Sequence, residues 1–196
     1  MREFVIKPLS GETWAEYADL VSRHGGVWGG CWCMAFHPEG FGKIGSAEGN
    51  RAAKEARVRS GQAHAALVYA GADCVGWCQF GPVDELPRIK HRRAYEAGEV
   101  GEPARIPDWR ITCFFMDKAW RGKGVAAAAL AGAVGLIAGA GGGLVESFPE
   151  DVAGRVTASA FLHNGEVGMF DRLGFARIRK LGKHRWLVGM AIDQGA

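Results

Sequence analysis

The chain has 196 residues, 48% of them apolar and 23% charged, and a net charge of +3. That composition suits one folded domain with a real core, and it excludes a disordered chain. The charge excess is too small to point to nucleic acid, which asks for a concentrated basic face.

In chain order, the opening MREFVIKPLS lacks the apolar stretch of a signal peptide, and FVIKP reads as a short strand. Ser10 can cap a helix with Glu12 in its first turn, where Trp14, Tyr17, Ala18 and Val21 have helical spacing. A Gly-rich stretch follows, HGGVWGGCWCMAFH over residues 24–37. A second helix is predicted from Ser46 to Ser60, ended by Gly61. HAALVYA and CVGWCQF read as two strands joined at Gly71-Ala72-Asp73. Residues 83–107 form a long polar loop bracketed by Pro82, Pro87, Pro103 and Pro107. WRITCFFM is a strand, RGKG leads into an Ala-rich helix, and GLVESF is the next strand. Val125 to Val145 carries no charge, but GAGGG interrupts it, so a helix and a strand are predicted rather than a membrane span. After an irregular segment, 149–164, Asn164 is positioned to cap a helix running through Leu173, with Gly174 as its C′ residue. FARIRKL and HRWLVGMAI make a last hairpin across Gly182-Lys183, read as a tight II′ turn. The order is β-α-α-β-β-β-α-β-α-β-β, one α/β domain over residues 1–196 with a mixed sheet.

Five cysteines, Cys31, Cys33, Cys74, Cys78 and Cys113, form an odd and sparse set. They predict free thiols in a reducing cytoplasm. Cys74, Cys78 and Cys113 lie in strands, where a free Cys behaves as a small core residue. Trp77 and Trp109 read as core or pocket wall, and Tyr69 as packing. In HGGVWGGCWCMAFH, an extended chain puts Cys31 and Cys33 on one side and Trp32 on the other. Their spacing with His24 and His37 is not a standard zinc pattern, so no metal is expected.

The most informative segment is WRITCFFMDKAWRGKGVAAAAL. Arg121, Gly122, Lys123 and Gly124 place backbone amides and two cations where a helix begins. Unpaired amides and the positive end of the helix dipole favour an anion there, and glycines let phosphate oxygens approach. A pyrophosphate is the natural guest. Gly122-x-Gly124-x-x-Ala127, with Glu146 about 20 residues on, formally meets a dinucleotide fingerprint. Against it, five residues separate the strand from the first Gly, and the remaining chain cannot build further βαβ units.

Arg121-x-x-Gly124-x-Ala126 after a strand, with Phe170-Asp171-Arg172-Leu173-Gly174-Phe175 later, resembles the GNAT family of acyl-CoA N-acyltransferases. Its acyl-CoA loop reads R/Q-x-x-G-x-G/A and its later helix Y-x-x-x-G-F, and its element order is the one above. CWCM is similar to poorly characterised branches of that family.

The resemblance implies a GNAT-like domain with a mixed, mostly antiparallel sheet flanked by helices. It implies acetyl-CoA as co-substrate, with Arg121, Gly122, Lys123, Gly124, Val125 and Ala126 on the pyrophosphate and Phe115 and Met116 along the pantetheine. Asn164 and Phe170 fall near the same cofactor, although Asn164 also reads as a plain helix cap. A neutral amine would attack the thioester directly, with a base or water relay taking its proton and a backbone N–H near Phe115 meeting the oxyanion. Glu146 is the candidate base and Asp108 a lesser one. The family's Tyr, which protonates the departing thiolate, falls at Phe170, where no proton donor exists. Trp28, Cys31, Trp32 and Cys33 would wall the acceptor pocket. The basic run Arg88, Lys90, His91, Arg92 and Arg93 reads as a solvated loop face, or as a contact to CoA phosphate or an anionic acceptor. The acceptor is a small-molecule or peptide amine, with neither nucleic acid nor membrane as partner and a homodimer common among members. Two other readings stand beside it: an NAD(P)-dependent oxidoreductase, and a non-catalytic acyl-CoA-binding protein on the same fold.

Overall fold

The structure, a computed structural model, describes residues 3–40, 46–98 and 106–195. The end of the Gly-rich stretch (41–45) and the middle of the Pro-bracketed loop (99–105, with Pro103) lie outside the described residues. In order come β1 (Val5–Pro8), α1 (Trp14–Ser22), α2 (Ala47–Arg59), β2 (His64–Ala70), β3 (Asp73–Pro82), α3 (Arg92–Ala97) and β4 (Trp109–Met116). Then follow α4 (Val125–Gly139), β5 (Gly143–Ser147), α5 (Val167–Arg172), β6 (Ala176–Lys180) and β7 (Trp186–Ile192).

The predicted order holds, with local corrections. The loop from 83 contains α3, a helix held by its surroundings: Tyr95 packs edge-on against Phe148 at 5.8 Å, and Arg92 pairs with Glu96 one turn on. α1 starts three residues later than Ser10 suggests. Ser10 Oγ accepts from Glu12 N, and Thr13 Oγ1 accepts from Ser10 N, so Ser10 builds the turn before the helix. Ser46 does cap α2, accepting from Gly49 N at 2.9 Å. Asn164 is not a cap: α5 begins after Glu166, and Asn164 ends a 3-10 segment, Ser159–Asn164. The last hairpin is wider than a II′ turn, closed by Leu181 N donating to Arg185 O at 2.8 Å.

One seven-stranded sheet runs β1-β2-β3-β4-β5-β7-β6. Every neighbouring pair is antiparallel except β4 and β5. On one face, Ile111, Phe114, Val145 and Val188 pack under Ala129, Leu130, Ala133 and Ile137 of α4. Small residues let this helix sit close: a Cβ on Gly132 would stand 2.7 Å from Ile6 Cγ2. On the other face, Trp77, Cys113 and Phe115 pack under Trp14, Tyr17, Leu20 and Val21 of α1.

The sheet opens where the site forms. β4 pairs with β5 only from Trp109 to Ile111, opposite Val145 to Ser147. On its other side, the register with β3 jumps between Ile111 and Cys113, leaving Thr112 as an extra residue. Such a bulge bends its strand and raises the local twist. β4 therefore leaves β5 after Ile111, and its last five residues pair with no strand on that side.

Candidate functional site

The end of β4 runs into a 3-10 turn, Lys118–Trp120, that Asp117 caps by accepting from Ala119 N at 2.9 Å. The chain then reverses into α4 through Gly122 (φ +71°) and Gly124 (φ +86°). Both angles lie in the left-handed region, which a β-carbon disfavours. A cavity of about 420 Å³ opens above this turn. Its floor is Phe114, Phe115 and Met116 of β4 with Arg121, Gly122, Gly124 and the first turn of α4; Leu162, Gly165 and Met169 form the opposite wall, and Trp28 overhangs it. The volume falls within the range of small-molecule sites. The first amides of α4 have no partner inside the helix, so this end of the cavity is built for an anion.

Most of the residues expected on a cofactor meet here: Phe115, Met116, Arg121, Gly122, Gly124, Val125 and Ala126 all line the cavity. Lys123 is turned away, with its ammonium on Ala119 O at 2.7 Å and over the Trp120 ring. Phe170 is buried behind the wall, edge-on to Phe114 and Phe175.

Of the expected acceptor wall, only Trp28 reaches the cavity, and it is 41% exposed. Cys31, Trp32 and Cys33 are core residues beneath α1, and Tyr17 donates its hydroxyl to Trp32 O. The stretch is not extended. Val27, Trp28, Trp32 and Cys33 all have positive φ, between 43° and 57°, so the chain coils and turns the thiols inward. Burial pushes the Cys31 thiol up to about 12 and Cys33 also upward. Such thiols are poor nucleophiles. The flanking histidines part company: His24 packs on Phe115, and His37 on Lys54.

The gap between β4 and β5 is bridged by Asn164, expected near the cofactor, and by Arg185 and Glu150, which sequence reading missed. Asn164 Nδ2 donates to Thr112 O. Arg185 Nη1 donates to Asn164 Oδ1 at 2.9 Å and to Phe148 O, and Nη2 pairs with Glu150 at 3.1 Å. Just below, Glu146 is 5% exposed and already committed: Arg110 Nε donates to it at 2.7 Å and the Tyr95 hydroxyl at 3.0 Å. Burial, and then the Glu146 charge, raise the Tyr95 hydroxyl's pKa. Both carboxylate oxygens are thus taken by donors from neighbouring elements. In this arrangement Glu146 is the partner of Arg110 and Tyr95. Asp108 is occupied too, accepting from Leu144 N at the start of β4. Tyr69 packs under Lys7, Trp77 stacks on Phe115 at 4.9 Å, and the Trp109 indole bonds Gly142 O. An Arg inside an otherwise apolar strand, as at Arg110, is a legible sign of a buried partner.

Lys54 left no such sign. It is 1% exposed, on a helix polar all round, yet Asn50, Lys54 and Val58 form its buried face. Its partners are neutral, His37 Nε2 at 3.0 Å and Gln79 Oε1 at 3.1 Å. Burial lowers the pKa of Lys54, and burial with the Lys54 charge lowers that of His37. With the folded value of Lys54 depressed, the unfolded chain binds more protons. Stability from this group therefore rises with pH until the ordinary lysine value, about 10.4. We expect the wild type to gain stability over Lys54→Met between about pH 7 and pH 10. Urea unfolding of both at each pH checks this, and parallel curves would show that Lys54 stays charged.

The sheet order, the parted strands and the glycine turn under an anion-ready helix define the fold of the GNAT acyltransferases. Solved structures that share it include the following three. One is described as a candidate GNAT-family acetyltransferase of Desulfovibrio desulfuricans (TM-score 0.53, 14% identity, 97% of this chain and 99% of that one). Another is the mosquito arylalkylamine N-acetyltransferase-like 5b (0.54, 13%, 96% and 100%). The third is yncA of Salmonella typhimurium, described as a candidate acetyltransferase and solved with acetyl-CoA (0.53, 13%, 98% and 96%). No protein-family model matches the sequence, and neither does a curated protein. The sheet has a single parallel pair, unlike the doubly wound sheet of a dinucleotide-binding domain. Among the described residues, no helix is long and apolar enough to cross a membrane.

Proposed function

We propose that the protein is an acetyl-CoA-dependent N-acetyltransferase acting on a primary amine. The observation that carries this reading is the cavity joining the end of β4 to the Arg121–Ala126 turn. Arg121 and the first amides of α4 take the pyrophosphate, and Gly122 and Gly124 let it approach. The pantetheine lies along Phe115 and Met116, under Trp28. A backbone N–H of β4 near Phe115 meets the thioester oxygen as the amine attacks, in the water-poor gap above Ile111. With Phe170 buried and unable to donate, the thiolate leaves unassisted, which a thiol pKa of about 8.5 permits. The amine proton passes to a water relay, since Glu146 is held by Arg110.

Thermal shift with acetyl-CoA and with NADPH side by side tests the reading. We expect acetyl-CoA alone to stabilise the protein, by about 2.7 kcal/mol at a hundredfold excess over Kd. Stabilisation by NADPH and not by acetyl-CoA would overturn it. Acetyl-CoA binding without transfer to any amine in a panel would leave a binding protein.

A further inference from the structure

Among the described residues that line the cavity, one is an acid, Glu166. It is exposed, its side chain caps nothing, and no described residue donates to its carboxylate. The other carboxylates around the site are engaged. Glu146 holds Arg110, and Glu150 holds Arg155 and Arg185. Asp108 takes the Leu144 amide, and Asp117 takes the Ala119 amide and Arg23.

The backbone that carries Glu166 is fixed beside the end of β4. Glu150 N donates to Gly165 O and Val167 N to Glu150 O, each at 3.0 Å. Gly165 is buried with φ +80°, and a Cβ there would stand 3.2 Å from Phe114 Cε2. Glu166 is therefore one residue from a contact with Phe114. The next amide along β4 is that of Phe115, which lines the same cavity. The charged groups sharing the cavity with Glu166 are Arg121, at the glycine turn, and Arg172, at the far end of α5. α5 spaces Arg172 about 9 Å along its axis from Glu166, beyond an ion pair. Across the bridge between Glu150 and Glu166, the Glu150 carboxylate is turned to its two arginines. The acid thus faces the cavity uncommitted, beside the stretch of β4 where the thioester is proposed to lie.

We propose that Glu166 is the base of the transfer, taking the amine's proton directly or through one water. This rests on the acetyltransferase reading. The amine nitrogen bonds to the thioester carbon, the carbon–sulfur bond breaks, and CoA leaves as its thiolate. The nitrogen loses basicity as it bonds to the acyl carbon, so a positioned carboxylate suffices to take its proton. Glu166 then passes that proton to the thiolate or to solvent, which its exposure admits. The products are the acetamide and CoA.

Glu166→Gln keeps the shape of the side chain and removes the base. The test uses saturating acetyl-CoA with methylamine, phenethylamine and spermidine as acceptors. For each amine that the wild type acetylates, we expect kcat to fall about a hundredfold. The Kd for acetyl-CoA and the melting temperature should hold, and Glu166→Asp should recover part of the loss. Wild-type kcat should also fall on acidification, as the carboxylate takes up a proton, and that limb should vanish in Glu166→Gln. Unchanged kcat in Glu166→Gln, or a raised acetyl-CoA Kd at full kcat, would overturn the inference. So would equal losses in the Gln and Asp variants with a lowered melting temperature, which would mark a structural role. Failure of the inference alone leaves wild type and variant turning over alike. Failure of the acetyltransferase reading shows instead as acetyl-CoA bound with no amine acetylated by the wild type, and it overturns both.

Discussion

Glu146→Gln should cost the fold about 3–5 kcal/mol, because it leaves a buried guanidinium without its carboxylate. Arg110 is 6% exposed, and its Nε lies 2.7 Å from Glu146. Its remaining contacts, to Leu86 O at 3.1 Å and Tyr95 Oη at 3.5 Å, are neutral and cannot replace a charge. Replacing both partners by apolar groups, in Arg110→Met with Glu146→Leu, removes the orphan and should recover most of the loss. Urea unfolding measures the stability arm, and turnover of the folded fraction measures the chemical one. If Glu146 is structural, the double variant keeps turnover near the wild type. A single Glu146→Gln that keeps its stability and loses turnover would restore Glu146 as the base.

For Arg121→Glu we expect the Kd for acetyl-CoA to rise about a hundredfold. A charge-assisted bond to phosphate contributes roughly 1.5–3 kcal/mol, and the reversed charge adds repulsion. At 1.4 kcal/mol per tenfold, about two decades follow. Arg121 is exposed, so the melting temperature without ligand should hold. Lys123→Glu should weaken binding far less, since that ammonium bonds the Ala119 carbonyl instead of facing the cavity. Titration calorimetry decides between them, and equal losses would place Lys123 on the phosphates after all.

The glycine turn at the start of α4 was legible because it is local. Arg121, Gly122 and Gly124 sit within four residues, and their turn geometry follows from glycine itself. The ends of β4 were readable for the same reason, an apolar run between a proline segment and a charged turn. The environment of the Gly-rich stretch was not legible. Cys31 and Cys33 read as pocket residues because an extended chain was assumed, whereas four left-handed residues curl the stretch into the core. Asn164 has the residue type of a cap, yet Thr112 and Arg185, 52 and 21 residues away, claim its amide.

The sequence by itself determined the element order, the glycine turn and the cation poised above it. These depend on periodicity, on allowed φ and on charges a few residues apart, all of which a linear pattern records. Only the tertiary structure decided which polar groups remain available for chemistry. The bulge at Thr112 parts β4 from β5, Arg110 claims Glu146, α2 buries Lys54, and Arg185 of the last hairpin claims Asn164. Each is a pairing between distant segments, set by which side chains packing leaves in reach of one another, and residue spacing carries no record of that.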